Sequence, residues 1–249
     1  MNRPGGGSKP RAFLCDFDGT VAPEDIGALF VRRFTRAPER ELELLTERWR
    51  AGRVGTRQVI EAESASLVVG EAEALGFTRG YGLDPEFGTF AREVVAAGGR
   101  VVVVSEGYDF YVRDQLERAG LGELPWSANR ARFEGGRVRV EFPRRDSGCG
   151  SCGNCKGAHV EDYRGRGYEV VLVGDGLSDR CGARLADLVL ARGELLGWCA
   201  SVGIAAQPFA SFLDVARWAR ARAGSDRPQA PAEMRPAAGD GAPESGRAT

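Results

Sequence analysis

The chain has 249 residues, 43% of them apolar and 28% charged, with a formal net charge of −1. That is enough apolar material for one core plus a modest insert, and it excludes global disorder. The near-neutral balance carries no electrostatic footprint for nucleic acid, and no apolar run is long enough to span a bilayer.

Residues 1–10 are Gly-rich and polar, without the apolar stretch of an export signal. They read as a disordered tail, as do residues 224–249. Ala12–Asp16 is the first predicted strand, an apolar run of the kind that parallel strands show when both faces are covered. Residues 21–80 hold only helical patterns and are too long for a crossover helix, so a small helical insert is expected there. The spacing then predicts a helix over Asp84–Ala97, with Asp84 as N-cap, Pro85 as first helical residue and Gly98 as stop. Arg100–Ser105 is the second strand, Tyr108–Ala119 a helix, and Ala131–Phe142 a hairpin around Gly135-Gly136. Glu169–Gly174 and Leu188–Ala191 complete the strands, with helices over Ser178–Ala186 and Ala210–Ala223. The alternation predicts an α/β fold: a Rossmannoid parallel sheet flanked by helices, with core residues 11–20 and 81–223. Phe30, Phe34 and Trp49 read as apolar packing within the insert.

Three strands end in polar residues. The first ends Asp16-Phe17-Asp18-Gly19-Thr20, the second Ser105-Glu106-Gly107, and the third Asp175-Gly176-Leu177-Ser178-Asp179. Ligands of open α/β sheets bind beyond the carboxyl ends of the strands, so these residues converge on one crevice. Asp16 and Asp175 side by side repel unless a cation lies between them, and an all-oxygen site suits Mg²⁺. A carboxylate can also attack phosphorus, and Asp18, two residues on, can transfer protons. Ser105 and backbone amides at a helix start can hold phosphoryl oxygens, and Lys156 can neutralise their charge. Only Lys9 and Lys156 are lysines among 34 basic residues, which hints that an amine is needed at 156.

The order DFDGT, a strand ending in Ser, a Lys, then GDGLSD resembles the haloacid dehalogenase (HAD) superfamily of phosphatases over residues 11–222. The insert lies where that family carries its C1 cap. The resemblance implies Asp16 as nucleophile and Asp18 as acid/base. It implies phosphate contacts from Thr20, Ser105, Glu106, Gly107 and Lys156, and Mg²⁺ held by Asp16, the Asp18 carbonyl and Asp175, with Asp179 in or beside that shell. The nearest likeness is to the phosphoserine-phosphatase-like branch, and within it to the 2-hydroxy-3-keto-5-methylthiopentenyl-1-phosphate phosphatases of methionine salvage. Cys15–Thr20, Asp109–Tyr111, GCGSCGNCK (148–156) and PFASFLDV (208–215) carry it. A similar Cys-rich run appears in phosphocholine and phosphoethanolamine phosphatases, so it marks a branch rather than a substrate.

There are departures. Glu106 stands where the family commonly has Gly. Asp25 matches the acidic residue with which phosphoserine phosphatases hold the substrate amine, but Glu61 falls where they place an Arg for the carboxylate, which argues against phosphoserine. The expected substrate is a small phosphomonoester, in a cytosolic protein without nucleic-acid or membrane partners. Competing readings are a response-regulator receiver, which lacks such an insert, and an inactive HAD-fold scaffold, which would have lost a carboxylate or the Lys.

Cys149, Cys152 and Cys155 are spaced at intervals of three. The plain reading is a Gly-rich loop that positions Lys156. Zinc or an iron–sulfur cluster would need a fourth ligand, with Cys181, His159 and Asp146 as candidates. A disulfide is disfavoured in a reducing compartment. His159, the single histidine, reads as a helix residue, and no His-dependent triad is available.

Overall fold

A computed structural model describes residues 9–144 and 149–225. The expected tails therefore fall almost wholly outside the described residues, as does Asp146. Pro10 lies within them, and its carbonyl accepts from Glu169 N.

Seven strands form one sheet in the order β4-β3-β2-β1-β5-β6-β7. They are β1 (Arg11–Cys15), β2 (Arg100–Tyr108), β3 (Trp126–Glu134), β4 (Arg137–Glu141), β5 (Glu169–Gly174), β6 (Leu188–Ala191) and β7 (Gln207–Pro208). All neighbours pair in parallel except β4, which runs antiparallel to β3. In the central strands successive side chains go to opposite faces. Phe13, Cys15, Val101, Val103, Val171 and Val173 pack on one side. Ala12, Leu14, Val102, Val104, Val170 and Leu172 pack on the other. Burial on both faces explains why these strands read as unbroken apolar runs.

Four helices, α1 (Ile26–Phe34), α2 (Glu39–Arg50), α3 (Thr56–Ser66) and α4 (Glu71–Thr78), lie between β1 and β2. Helices α5 (Phe87–Ala96) and α10 (Phe212–Ser225) cover the first face of the sheet. α6 (Asp109–Arg118) packs with them through Phe110, Tyr111 and Leu116. α7 (Lys156–Gly165), α8 (Arg180–Ala183) and α9 (Gly193–Ser201) cover the second face.

Several elements depart from the sequence expectation. The helix before β2 begins at Phe87 rather than Pro85. Asp84 Oδ1 accepts from Glu86 N and Oδ2 from Phe212 N, so the acid closes a turn and joins α10 instead of capping α5. The expected helix 178–186 is a 3₁₀ turn (Leu177–Asp179) followed by the one-turn α8. The Asp179 carboxylate turns back onto the amides of 175 and 176 and tightens that start. α9 gave no sequence signal because its two glycines, Gly193 and Gly197, weaken the helical pattern. The hairpin is present, closed by Gly135 and Gly136 at φ 57° and 74°. Its first arm starts five residues earlier than expected and joins the main sheet through β2. Phe30 and Phe34 are buried as expected. Trp49 instead lines an open cleft, its Nε1 donating to Thr56 Oγ1 over 3.1 Å.

Candidate active site

The carboxyl ends of β1, β2 and β5 meet under α1–α3, around a cleft of about 320 Å³. Asp16 follows β1, and its N–H still donates to Val173 O, so the residue is held in strand register. The chain then turns back, with Gly19 at φ 74°. A Cβ on Gly19 would lie 2.5 Å from Asp175 Oδ2, so close approach and backbone conformation both demand glycine there. Arg192 pins this turn by donating Nε to Gly19 O over 2.9 Å.

Carboxylate oxygens of Asp16, Asp175 and Asp179 lie within 4.8 Å of one another. Lys156, the first residue of α7, is fully buried between two of them: Nζ is 2.9 Å from Asp16 Oδ1 and 2.8 Å from Asp179 Oδ1. It also donates to Ser178 Oγ over 3.1 Å. Burial opposes the ammonium charge, yet Asp16 and Asp179 together push its pKa above the ordinary range. Burial, then the charge of Asp179, pushes Asp16 well up. Burial lifts Asp175 to about 6, with Asp179 adding to the effect. Three acids against one ammonium leave an excess of negative charge, and an all-oxygen donor set fits a hard divalent cation such as Mg²⁺. Asp16 and Asp175 line the cleft. Both Asp179 oxygens are engaged, Oδ1 with Lys156 and Oδ2 with the amides of Asp175 and Gly176, which suits a supporting place behind such an ion.

The Asp18 side chain is not in this cluster. Its Oδ1 accepts from Gly27 N over 3.0 Å, and its Oδ2 accepts from Tyr111 Oη over 2.8 Å and from Ser105 Oγ at 3.3 Å. Any metal contact from this residue would have to come from its backbone. Burial, then the charge of Asp25, lifts Asp18 to about 7, in the range where an acid/base group works at neutral pH.

Ser105 is wholly buried and accepts from Gly107 N over 2.8 Å, while Gly107 itself lines the cleft. Thr20 is also buried, its hydroxyl donated to Asp175 Oδ1 over 2.6 Å, so it orients a carboxylate rather than facing the cleft. The Glu106 side chain is turned towards the Cys loop. Its Oε2 accepts from the amides of Gly153 and Asn154, both at 3.0 Å. Of the expected set, Gly107 borders the cleft with its N–H engaged by Ser105, and Lys156 lies directly behind Asp16, where its charge offsets that of the floor.

Asp25 lines the cleft and caps α1, its Oδ1 accepting from Ala28 N over 2.8 Å. Glu61 is exposed and does not line the cleft; the acid that does is Glu63, two residues on. Burial, then the charge of Asp25, lifts Glu63 to about 7. Among the described lining residues Arg50 is the only basic one, and it pairs with Glu194 at 3.1 Å. Glu63 and Arg192 escaped the sequence reading of the site, for their parts depend on contacts with residues distant in the chain, while Tyr111 entered it only as the end of the Asp109–Tyr111 likeness, without a role. A carboxylate in an apolar helical stretch was the one available signal for Glu63.

His159 lies in α7 with Nε2 2.8 Å from Asn154 Oδ1, and burial lowers its pKa to about 4. It is a structural hydrogen-bonding partner, in line with its reading as a helix residue.

The description of the haloacid dehalogenase-like hydrolase family matches residues 13–184, and the chain belongs to that family. It is a phosphatase of the phosphoric monoester hydrolase class. A 2-hydroxy-3-keto-5-methylthiopentenyl-1-phosphate phosphatase from Geobacillus kaustophilus is 33% identical, over 84% of this chain and 94% of its own length. One of the same name from Exiguobacterium sp. is 32% identical, over 82% of this chain and 95% of its own length. Among solved structures, a phosphoserine phosphatase with a phospho-aspartyl intermediate analogue superposes with a TM-score of 0.63 at 20% identity. It covers 85% of this chain and 99% of its own, and the likeness is one of fold.

Proposed function

We propose that this phosphatase hydrolyses a small phosphomonoester by way of a phosphoryl group carried on Asp16. The observation that supports it best is the buried Lys156 ammonium held between Asp16 and Asp179, with Asp175 completing a cluster at the floor of the cleft. Mg²⁺ held by Asp16, Asp175 and the Asp18 carbonyl would supply charge neutralisation for the phosphoryl oxygens.

In the first step a carboxylate oxygen of Asp16 attacks phosphorus as the ester P–O bond breaks. Asp18, protonated in part at neutral pH, gives its proton to the departing alkoxide. In the second, Asp18 takes a proton from water as that water attacks phosphorus, and the Asp16 carboxylate is restored. Tyr111 and Gly27 hold the Asp18 carboxyl in place throughout. Lys156, held against Asp16, offsets the charge that gathers there as phosphoryl transfer proceeds. Residues 21–80 act as a cap that closes the cleft over the substrate and excludes water.

The substrate we infer is 2-hydroxy-3-keto-5-methylthiopentenyl-1-phosphate, on which the curated relatives are named as acting. The lining supports it. Ala28, Val31, Val59, Ile60 and Trp49 offer an apolar wall, while Asp25 and Glu63, raised by burial, offer proton-sharing partners for hydroxyl and keto groups. A substrate carboxylate would meet two acids, and the Arg50 guanidinium is already paired. That disfavours phosphoserine. A second reading rests on the same two acids beside Trp49, which could also hold a quaternary ammonium as in phosphocholine.

A panel containing the methionine-salvage intermediate, phosphoserine, phosphocholine and p-nitrophenyl phosphate, run with Mg²⁺ and with EDTA, tests this. The highest kcat/KM is expected for the first, with turnover lost in EDTA. Best activity on phosphocholine would replace the substrate assignment, and EDTA-resistant turnover would remove Mg²⁺.

A further inference from the structure

A second cluster lies behind the catalytic floor. The sulfurs of Cys149, Cys152, Cys155 and Cys181 all fall within 4.8 Å of one another. Cys149 and Cys181 are 3.4 Å apart, Cys149 and Cys152 3.4 Å, Cys152 and Cys181 3.8 Å, and Cys155 and Cys149 3.9 Å. All four are free thiols. Sulfurs about 2.3 Å from the centre of a tetrahedron are about 3.8 Å apart along its edges, the geometry of a four-thiolate zinc site. A disulfide needs sulfurs about 2.05 Å apart, and a polynuclear iron–sulfur cluster holds its thiolates much further from one another.

We infer that these four cysteines bind a single zinc ion, a structural site distinct from the phosphatase centre. With four protein ligands it has no open position for water, so it supplies no catalysis of its own.

The four sulfurs sit where an ion can be reached and held. Cys155 sits at the N-cap of α7, where the helix end favours negative charge. Cys152 and Cys155 are buried, while Cys149 is exposed and Cys181 half-buried, which leaves a path for the ion to enter. Glu106 holds the intervening turn by accepting from Gly153 and Asn154 N–H, which gives its otherwise unassigned side chain a place. Binding would displace the thiol protons to solvent.

The placement matters for the active site. Cys155 immediately precedes Lys156, and Cys181 follows Asp179 by two residues. One ion would therefore tie together the two segments whose side chains meet in the Lys156–Asp179 pair.

The full chain, purified under reducing conditions without chelator and desalted, should hold one zinc per chain by elemental analysis. C181S should lose most of that zinc, and C199A, at a buried cysteine outside the cluster, should keep it. Replacing zinc with Co²⁺ in the wild type should give thiolate-to-cobalt charge-transfer absorption typical of four sulfur ligands. A strong zinc chelator should lower the Tm of the wild type, in buffer containing excess Mg²⁺. Wild-type protein that takes up no stoichiometric zinc on reconstitution would overturn the inference. So would a disulfide among the four in freshly reduced protein. Neither readout depends on phosphatase turnover, so failure of the zinc site and failure of the proposed reaction remain separable.

Discussion

At the scale of single residues, the buried ammonium of Lys156 sets the tightest constraint. It contacts two carboxylates at 2.8–2.9 Å with no solvent exposure, leaving no space for a planar guanidinium. Lys156→Arg is expected to reduce kcat by on the order of 100-fold or more, since the fork cannot reproduce a compact charge; near-wild-type steady-state rates would contradict this. Asp16→Asn should abolish turnover while Tm moves by no more than a few degrees, because the substitution also removes one of three crowded acids. Glu63 gives a pH signature. Its pKa is 4.5 when unfolded and about 7 when folded, so the folded state binds more protons between these values. Stability should fall as pH rises through that window and then level off. Glu63→Gln should remove this slope, raising Tm relative to wild type at pH 8 but not at pH 4; thermal melts across pH decide it.

At the scale of elements, the end of β2, where it passes straight into α6, is packed without slack. A Cβ on Gly107 would lie 1.7 Å from Tyr111 Oη and 2.7 Å from Asp18 Oδ2. Gly107→Ala should therefore displace Tyr111, cost about 1–3 kcal/mol in urea melts and lower kcat through a misplaced Asp18. The strand ends were legible in the sequence because burial on both faces writes a plain pattern, and polar residues then stand out at β1, β2 and β5. The order of motifs pointed to Asp16, Lys156, Asp175 and Asp179, and their side chains lie together in the fold. What escaped were contacts made across long separations. Asp84 looks like a cap for the next helix, yet one of its oxygens serves Phe212, 128 residues away. Arg192 lies beyond β6 with nothing nearby to betray that it holds Gly19. Cys181 could be only one of three candidates until the fold brought it to the loop.

At the scale of the whole molecule, the segment between β1 and β2 is unevenly fastened. α4 is bound to α6, with Arg79 donating to both oxygens of Asp114. α3 lies against the hairpin and the Cys loop, with Arg57 N donating to Ser151 O over 3.0 Å and Val69 N, just beyond it, to Gly136 O over 2.9 Å. α1 buries Ile26, Phe30, Val31 and Phe34. α2 buries none of its residues, and its Leu44 is 46% exposed. Local opening should concentrate there. Amide hydrogen exchange is expected to be faster in α2 than in α1 or α3, and to slow when a phosphate-ester analogue fills the cleft; uniform protection across the four helices would refute it.

Because α2 carries Thr46, Trp49 and Arg50 along the wall of the cleft, the least buried of the four helices is also one of the three that line it. If the proposed reaction holds, an ester could be admitted by the lifting of this one helix as a flap, with the Arg50–Glu194 pair at its end parting as it does so. Such a doorway separates choosing a guest from reacting with it: changes in the flap retune which esters enter, and the chemistry beneath need not be rebuilt.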